Sequence, residues 1–269
     1  MSKLVFDQLG ERKYKTGIEQ GVLFVVDNNG AYKKGVAFNG LINFNHSPEG
    51  AEENEFYADN IKYLVLRSAE NFKATLTCYF TPEEFDECDG TKLLVPGVKI
   101  RGQARRTFGF AYISKIGNDT VGDSYGEILH LIYGCTVSPS DEEHNTINET
   151  PEPQELSYDV SSTPIPVTGY KAVSCIEIDS TKVSNDKWKA VIDATYGTDA
   201  EYTLTTDTAI DSSKTYYTRS GSEGSYTYTQ VTTPQVSDIG TYYELTTSAT
   251  DSRLLLPSDI ISMFPSTSG

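Results

Sequence analysis

Apolar and polar residues alternate with a period of two through most of the middle of the chain, the signature of half-buried β-strands. In NFKATLTCYF (71–80), Phe72, Ala74, Leu76, Cys78 and Phe80 fall on one face, with Lys73, Thr75, Thr77 and Tyr79 on the other. FGFAYISKIGN (108–118) and EILHLIYGCTV (127–137) flank GNDTVGDSYG, a Gly/Asp/Asn-rich stretch suited to a hairpin connection. QELSYDVSST (154–163) and TGYKAVSCIEIDST (168–181) repeat the alternation, with Glu155, Asp159, Glu177 and Asp179 on polar faces. Helical patterns are few. TPEEFDEC offers Thr81 as an N-cap, proline at the first helical position and two glutamates at the positive end of the dipole. SNDKWKAVIDATYG starts on Ser184, groups Trp188, Val191, Ile192 and Thr195 on one face and stops at Gly197. LPSDIISMF offers one more helical turn or two.

These elements predict a mainly β architecture: an antiparallel β-sandwich or barrel with one or two short flanking helices. Residues 200–248 break the pattern. Seven of the 18 tyrosines lie there, threonine alternates with tyrosine, and KTYYTRSGSEGSYTYTQV reads as a hairpin followed by a strand around GTYYELTT. Joining ATYGT directly to SRLLLPSDIISMF leaves a continuous chain, so 200–248 reads as a small β module inserted in an exposed loop of a domain formed by 1–199 and 249–269. A sugar-binding or adhesin surface is one reading of its tyrosines; a small aromatic core is the other.

The chain has 269 residues, enough to bury a sizeable core without staples. Its net charge of −16 argues against a protein that grips nucleic acid through phosphates, and would repel DNA at close range. Cys78, Cys88, Cys135 and Cys175 are widely spaced with no C-x-x-C pair, so neither a zinc site nor a disulfide framework is signalled. The start MSKLVFDQLGERKYK has no apolar h-region and no stretch reaches the ~18 apolar residues of a membrane span, so synthesis in the cytoplasm and no membrane partner are expected.

Gly122-Asp123-Ser124-Tyr125-Gly126 matches G-x-S-x-G, with Asp141 and His144 following in nominal triad order. A nucleophile elbow needs a helix after the serine, whereas a strand follows here, so a turn is the expected reading. His46, His130 and His144 are isolated, and His130 in its apolar strand reads as structural. Asp119, Asp123 and Glu127 lack the order of a calcium loop. No catalytic, metal or cofactor site is expected.

The segments GVAFNGLINFNHSPEGAEENEFYADNIKYLVLRSAENFKATLTCYFTPEEFDECDG, LVPGVKI, RTFGFAYISKIGND, YGEILHLIYGCTVSPSDEEHNTINETPEPQELSYDVSSTPIPV and RLLLPSDIISMF, in this order, resemble the major tail (tail tube) proteins of long non-contractile-tailed phages. EFYADNIKYL, TPEEFDECDG and INETPEPQELSYDV carry most of the likeness, which spans about 15–198 and 250–269 and leaves the insert outside it. The resemblance implies a non-catalytic virion protein of the β-sandwich or barrel type, made in the host cytoplasm. Copies of it form hexameric rings that stack into a tube through which phage DNA passes unbound, with other tail proteins at the ends.

Within that implied assembly, the stretch from Glu49 to Leu66 is expected to be loose in the free subunit and to order on a neighbour. Phe56, Tyr57, Ile61 and Tyr63 would be its apolar anchors, and Glu52, Glu53, Glu55, Asp59, Asn60 and Lys62 its polar contacts; an ordinary hairpin packed on its own subunit is the alternative. Glu155, Asp159, Glu177 and Asp179 are candidates for an acidic lumen wall past which DNA slides.

Overall fold

The computed structural model describes residues 4–50, 52–68, 70–138, 146 and 153–265. The calls on Asp141, His144 and most of INETPEP lie outside these residues. The body is one antiparallel sheet built from β1 (Lys13–Val25), β2 (Val36–Ala37), β3 (Leu41–His46), β4 (Lys73–Cys78), β5 (Phe108–Asn118), β6 (Gly122–Val137), β7 (Leu156–Ser162) and β8 (Cys175–Asp179). Spatial order is β2-β1-β5-β6-β7-β4-β3, and β8 pairs with β6 beside β7. Strand β6 thus serves two neighbours on one edge: Ile128–Ile132 face β8, and Cys135–Val137 face β7. Gly134, in the left-handed region at φ 58°, bulges between the two ladders and lets the sheet turn.

That turn rolls the sheet so that β3 returns toward β1, the two strands lining a shared cleft; the Phe38 N–H, donating to Gly21 O at 2.7 Å, extends the β2–β1 pairing ahead of β3. The period-two pattern then sorts into two cores. On the inner face Leu23, Phe44, Leu76, Phe108, Phe110 and Tyr158 pack together, with Phe38 edge-on to Phe110 at 5.3 Å and Phe44 stacked on it at 5.5 Å. On the outer face of β1, β5, β6 and β8, Phe24, Ile113, Leu129, Leu131 and Ile178 are covered by α2 (Asn185–Tyr196) through Val191, and by Leu254 and Leu255 ahead of α3 (Pro257–Met263). Strand β5 is buried on both faces, which explains its near-continuous apolar run.

Three local expectations are corrected. TPEEFDEC forms only a 3-10 turn at Glu83–Phe85 and the four-residue α1 (Asp86–Asp89); Pro82 lies before the turn and Thr81 is not its cap. Phe80 does not join the core face, because β4 ends at Cys78 and the Phe80 side chain is exposed. GNDTVGDSYG is mostly strand: the turn is confined to 119–121, held by Asn118 Oδ1 accepting from the N–H groups of Thr120 and Val121, and Ser124 is an exposed position in β6.

The insert forms its own sheet of β9 (Glu201–Leu204), β10 (Tyr216–Ser222), β11 (Ser225–Gln230) and β12 (Tyr243–Thr247), in the order β9-β12-β10-β11. Its stem is a reciprocal backbone pair between Thr198 and Thr250, 3.0 Å in both directions. Tyr202 and Tyr228 stack at 4.0 Å, with Tyr217 and Tyr243 edge-on to them, so these tyrosines fill a small aromatic core.

Candidate assembly surfaces

Among the described residues, two hairpins leave the body. The first arm pairs Glu53–Ala58 with Ile61–Arg67, and every residue in both strands is exposed. The expected loose connection is therefore a formed hairpin, and its sequence explains why. Asp59 and Asn60 occupy a two-residue loop with φ of 53° and 62°, the pair of left-handed residues that a type I′ turn requires and that Asp and Asn tolerate. Lys62–Glu55 and Arg67–Glu53 ion pairs cross the strands, and Tyr57 Oη donates to Glu55 at 2.6 Å. The Lys62 and Tyr57 contacts hold the Glu55 carboxyl below the usual carboxylate range.

The anchors named from sequence are uncovered: Phe56 is 47% exposed, Tyr57 66%, Ile61 66% and Tyr63 71%. Glu52 and Asp59 form no ion pair among the described residues. A two-stranded hairpin with both faces in water is marginally stable at best, so this one lacks a third layer or strand.

The second arm pairs Lys92–Val95 with Val98–Ile100 through a Pro96-Gly97 turn in which Gly97 takes φ 82°. Leu93, Leu94, Val95, Val98 and Ile100 are all exposed. Sequence reading passed over this arm, although a signal was present. Residues 91–106 contain no Asp or Glu but hold Lys92, Lys99, Arg101, Arg105 and Arg106, five of the chain's 22 basic residues. Part of that charge fixes the root: Lys99 meets Asp86 at 2.5 Å, Arg106 meets Glu87 at 2.5 Å, and Arg105 Nε donates to Asp89 O at 3.0 Å.

The arms are rooted at opposite ends of the sheet. Strands β3 and β7 both run antiparallel to β4, and β7 runs antiparallel to β6, so β3 is also antiparallel to β6. The chain therefore quits β3 at His46 heading toward the 119–121 turn, where the first arm begins. The second arm instead precedes Phe108, at the far end of β5 from that turn.

The four acids proposed for a lumen wall do not share a face. Glu177 lies opposite His130, and Asp179 opposite Ile128, on the inner-core side of the sheet. Both are engaged there. Glu177 contacts Lys15 Nζ at 3.7 Å and His130 Nδ1 at 3.4 Å, while Asp179 caps the next turn by accepting from Thr181 N at 2.8 Å. Asp159 points the other way, onto an exposed polar face shared with Asn43, Asn45, Thr75, Thr77 and Ser161, and Glu155 is exposed just before β7.

The inner sheet face ends in a polar row. Ser114 Oγ and His130 Nε2 are 2.8 Å apart, the His130 ring stacks on Tyr112, and His46 Nε2 is 2.9 Å from Tyr112 Oη, beside an open cleft of about 570 Å³ between β1 and β3. The order serine, histidine, glutamate is suggestive of a triad, but Ser114 sits mid-strand in β5 between two paired neighbours, not on an exposed elbow. Among the described residues no group of His, Cys, Asp or Glu could hold a metal ion, and no helix is long and apolar enough to cross a membrane.

No family model matches the chain, and no curated protein is similar to it.

Proposed function

We propose that the chain is a structural subunit that assembles with copies of itself into stacked rings, giving a hollow tube of the kind built by the major tail proteins of long non-contractile-tailed phages. The observation that carries this reading is the pair of exposed apolar hairpins at opposite ends of a well-packed body. Surfaces that differ at the two ends make a heterologous contact, which propagates along an axis instead of closing on itself. The polar face of β3, β4 and β7 is our choice for the wall facing the lumen. Its strand residues carry Lys73 and Asp159 among amides and hydroxyls, so this wall is near neutral and offers DNA no cationic grip.

The edge of β1 also supports side-to-side association. Among the described residues its first half, Lys13 to Gln20, pairs with β5 alone, since β2 reaches only Val22 and Leu23. The sugar-binding alternative loses most of its surface, because six of the insert's seven tyrosines pack on one another and the seventh, Tyr226, is only 40% exposed. Electron microscopy of the purified chain tests the proposal. Rings or tubes are expected; isolated particles at every concentration would reject it.

A further inference from the structure

We propose that the first arm of one copy docks on the second arm of the next, an acidic aromatic hairpin laid against a basic aliphatic one. The inference rests on the end-to-end stacking proposed above and supplies its contact pair.

Charge selects the partner. Residues 49–71 hold six acids, Glu49, Glu52, Glu53, Glu55, Asp59 and Glu70, against the two bases Lys62 and Arg67, whereas 91–106 hold five bases and no acid. First arm on first arm, or second on second, sets like charges together, which disfavours an isologous contact. First on second joins opposite signs. Among the described residues Glu52 and Asp59 on one side, and Lys92 on the other, have no ion-pair partner, and the Arg105 guanidinium donates to a backbone carbonyl and to no carboxylate.

The apolar chemistry points the same way. Phe56, Tyr57 and Tyr63 present flat rings, and Leu93, Leu94, Val98 and Ile100 present aliphatic surface, all exposed in the single chain. Among the described residues both hairpins have unpaired outer edges, so edge-to-edge addition would join two marginal ribbons into one four-stranded sheet. The two arms of one copy are rooted at opposite ends of its sheet, and the complementary partner is therefore on another copy.

The test uses the full-length chain and four samples: wild type, Glu52→Lys with Asp59→Lys, Lys92→Glu with Arg105→Glu, and an equimolar mixture of the two variants. Self-association is followed by sedimentation, with circular dichroism to confirm that these exposed substitutions leave the fold intact. Wild-type association should weaken between about 50 and about 500 mM NaCl. Each variant alone should associate at least about tenfold more weakly. The mixture should recover, because a reversed first arm then meets a reversed second arm.

Variants that associate like wild type, a mixture that fails to recover, or a wild-type chain that stays monomeric at about 100 μM would each overturn the pairing. A loss confined to duplex DNA binding would assign the basic arm to DNA instead and also overturn it. The two readings fail separately: charge-dependent chains of subunits without tubes would sink the tube and keep the pairing, whereas tubes indifferent to all four substitutions would do the reverse.

Discussion

The rings of Tyr112 and His130 stack 4.4 Å apart and 12° from parallel, on directly paired positions of β5 and β6. The stack closes the inner core at the cleft, with Lys15, Ser114, Glu177 and His46 as the polar and titratable groups around the imidazole. Burial pushes His130 down to about 4 against the opposing pull of Glu177, and burial also lowers His46. In the unfolded chain both return to about 6.5, so between that pH and about 4 the unfolded state takes up protons that the folded state refuses. Stability should therefore be complete above about pH 6.5 and fall as the pH drops toward 4, by on the order of 2–3 kcal/mol for His130. Urea midpoints at pH 7.5 and 4.5 measure the fall. His130→Gln should shrink it, and an equal fall in the variant would show that other groups cause it.

Gly134 sets the roll of the sheet, and a side chain there meets two obstacles at once. Its φ of 58° is strained for any L-residue, and an added Cβ would lie 2.3 Å from the backbone oxygen of Thr163. Thr163 is not free to retreat, because its N–H donates to Gly134 O at 2.9 Å. Gly134→Ala should cost at least about 2 kcal/mol, lowering the melting temperature by several degrees. A melting curve that superimposes on wild type would show that the bulge is not strained.

Three of the four thiols are buried and the fourth, Cys175, is half-buried. Burial raises Cys78 to about 11 and Cys88 and Cys175 to about 12, and pushes the fully enclosed Cys135 higher still. Since the thiolate is the nucleophile, a disulfide reagent at pH 8 should label the native protein slowly at all four sites and the urea-unfolded protein promptly. Fast labelling of a native cysteine would mean that its core segment opens readily.

Much of the body was legible from residues alone, and the limits of that reading are physical. Alternation located β4, β5, β6 and β7 because each buries at least one regular face, and Gly197, at φ 81°, ends α2 where a C-terminal glycine signal stood. Face assignment failed where it depended on a turn of the sheet. Glu177 and Asp159 look equivalent in sequence, yet the two ladders of β6 direct them to opposite sides. The length, acidic start and aromatic centre of the first arm favour a loose connection over a hairpin, although Asp59-Asn60 is a turn signal. The second arm went unread because its apolar run is short and its charge pattern shows only when acids are counted as absent.

The insert should be dispensable for the body. Neither core contains a residue from 200–248, and the Thr198–Thr250 pair brings the two ends of the body together at the stem. Replacing 201–248 with a short Gly-Ser linker should leave the main unfolding transition within a few degrees of wild type, since surface insertions cost mainly loop entropy. Loss of cooperative unfolding would place the module inside the folding unit.

The sharpest separation between fold and assembly is at Phe56 and Tyr63. Both side chains project from a hairpin that touches neither core, so Phe56→Ser with Tyr63→Ser removes little buried area and should leave the melting temperature of the dilute chain nearly unchanged. In an assembly the same rings would be covered by a neighbour, and deleting two buried aromatic anchors commonly costs ~2 kcal/mol or more each at an interface. Tubes or rings seen for the wild-type chain should then be absent from micrographs of the variant at equal concentration. A variant that melts early would instead mean that the arm folds back onto its own body, and one that assembles normally would move the stacking contact elsewhere.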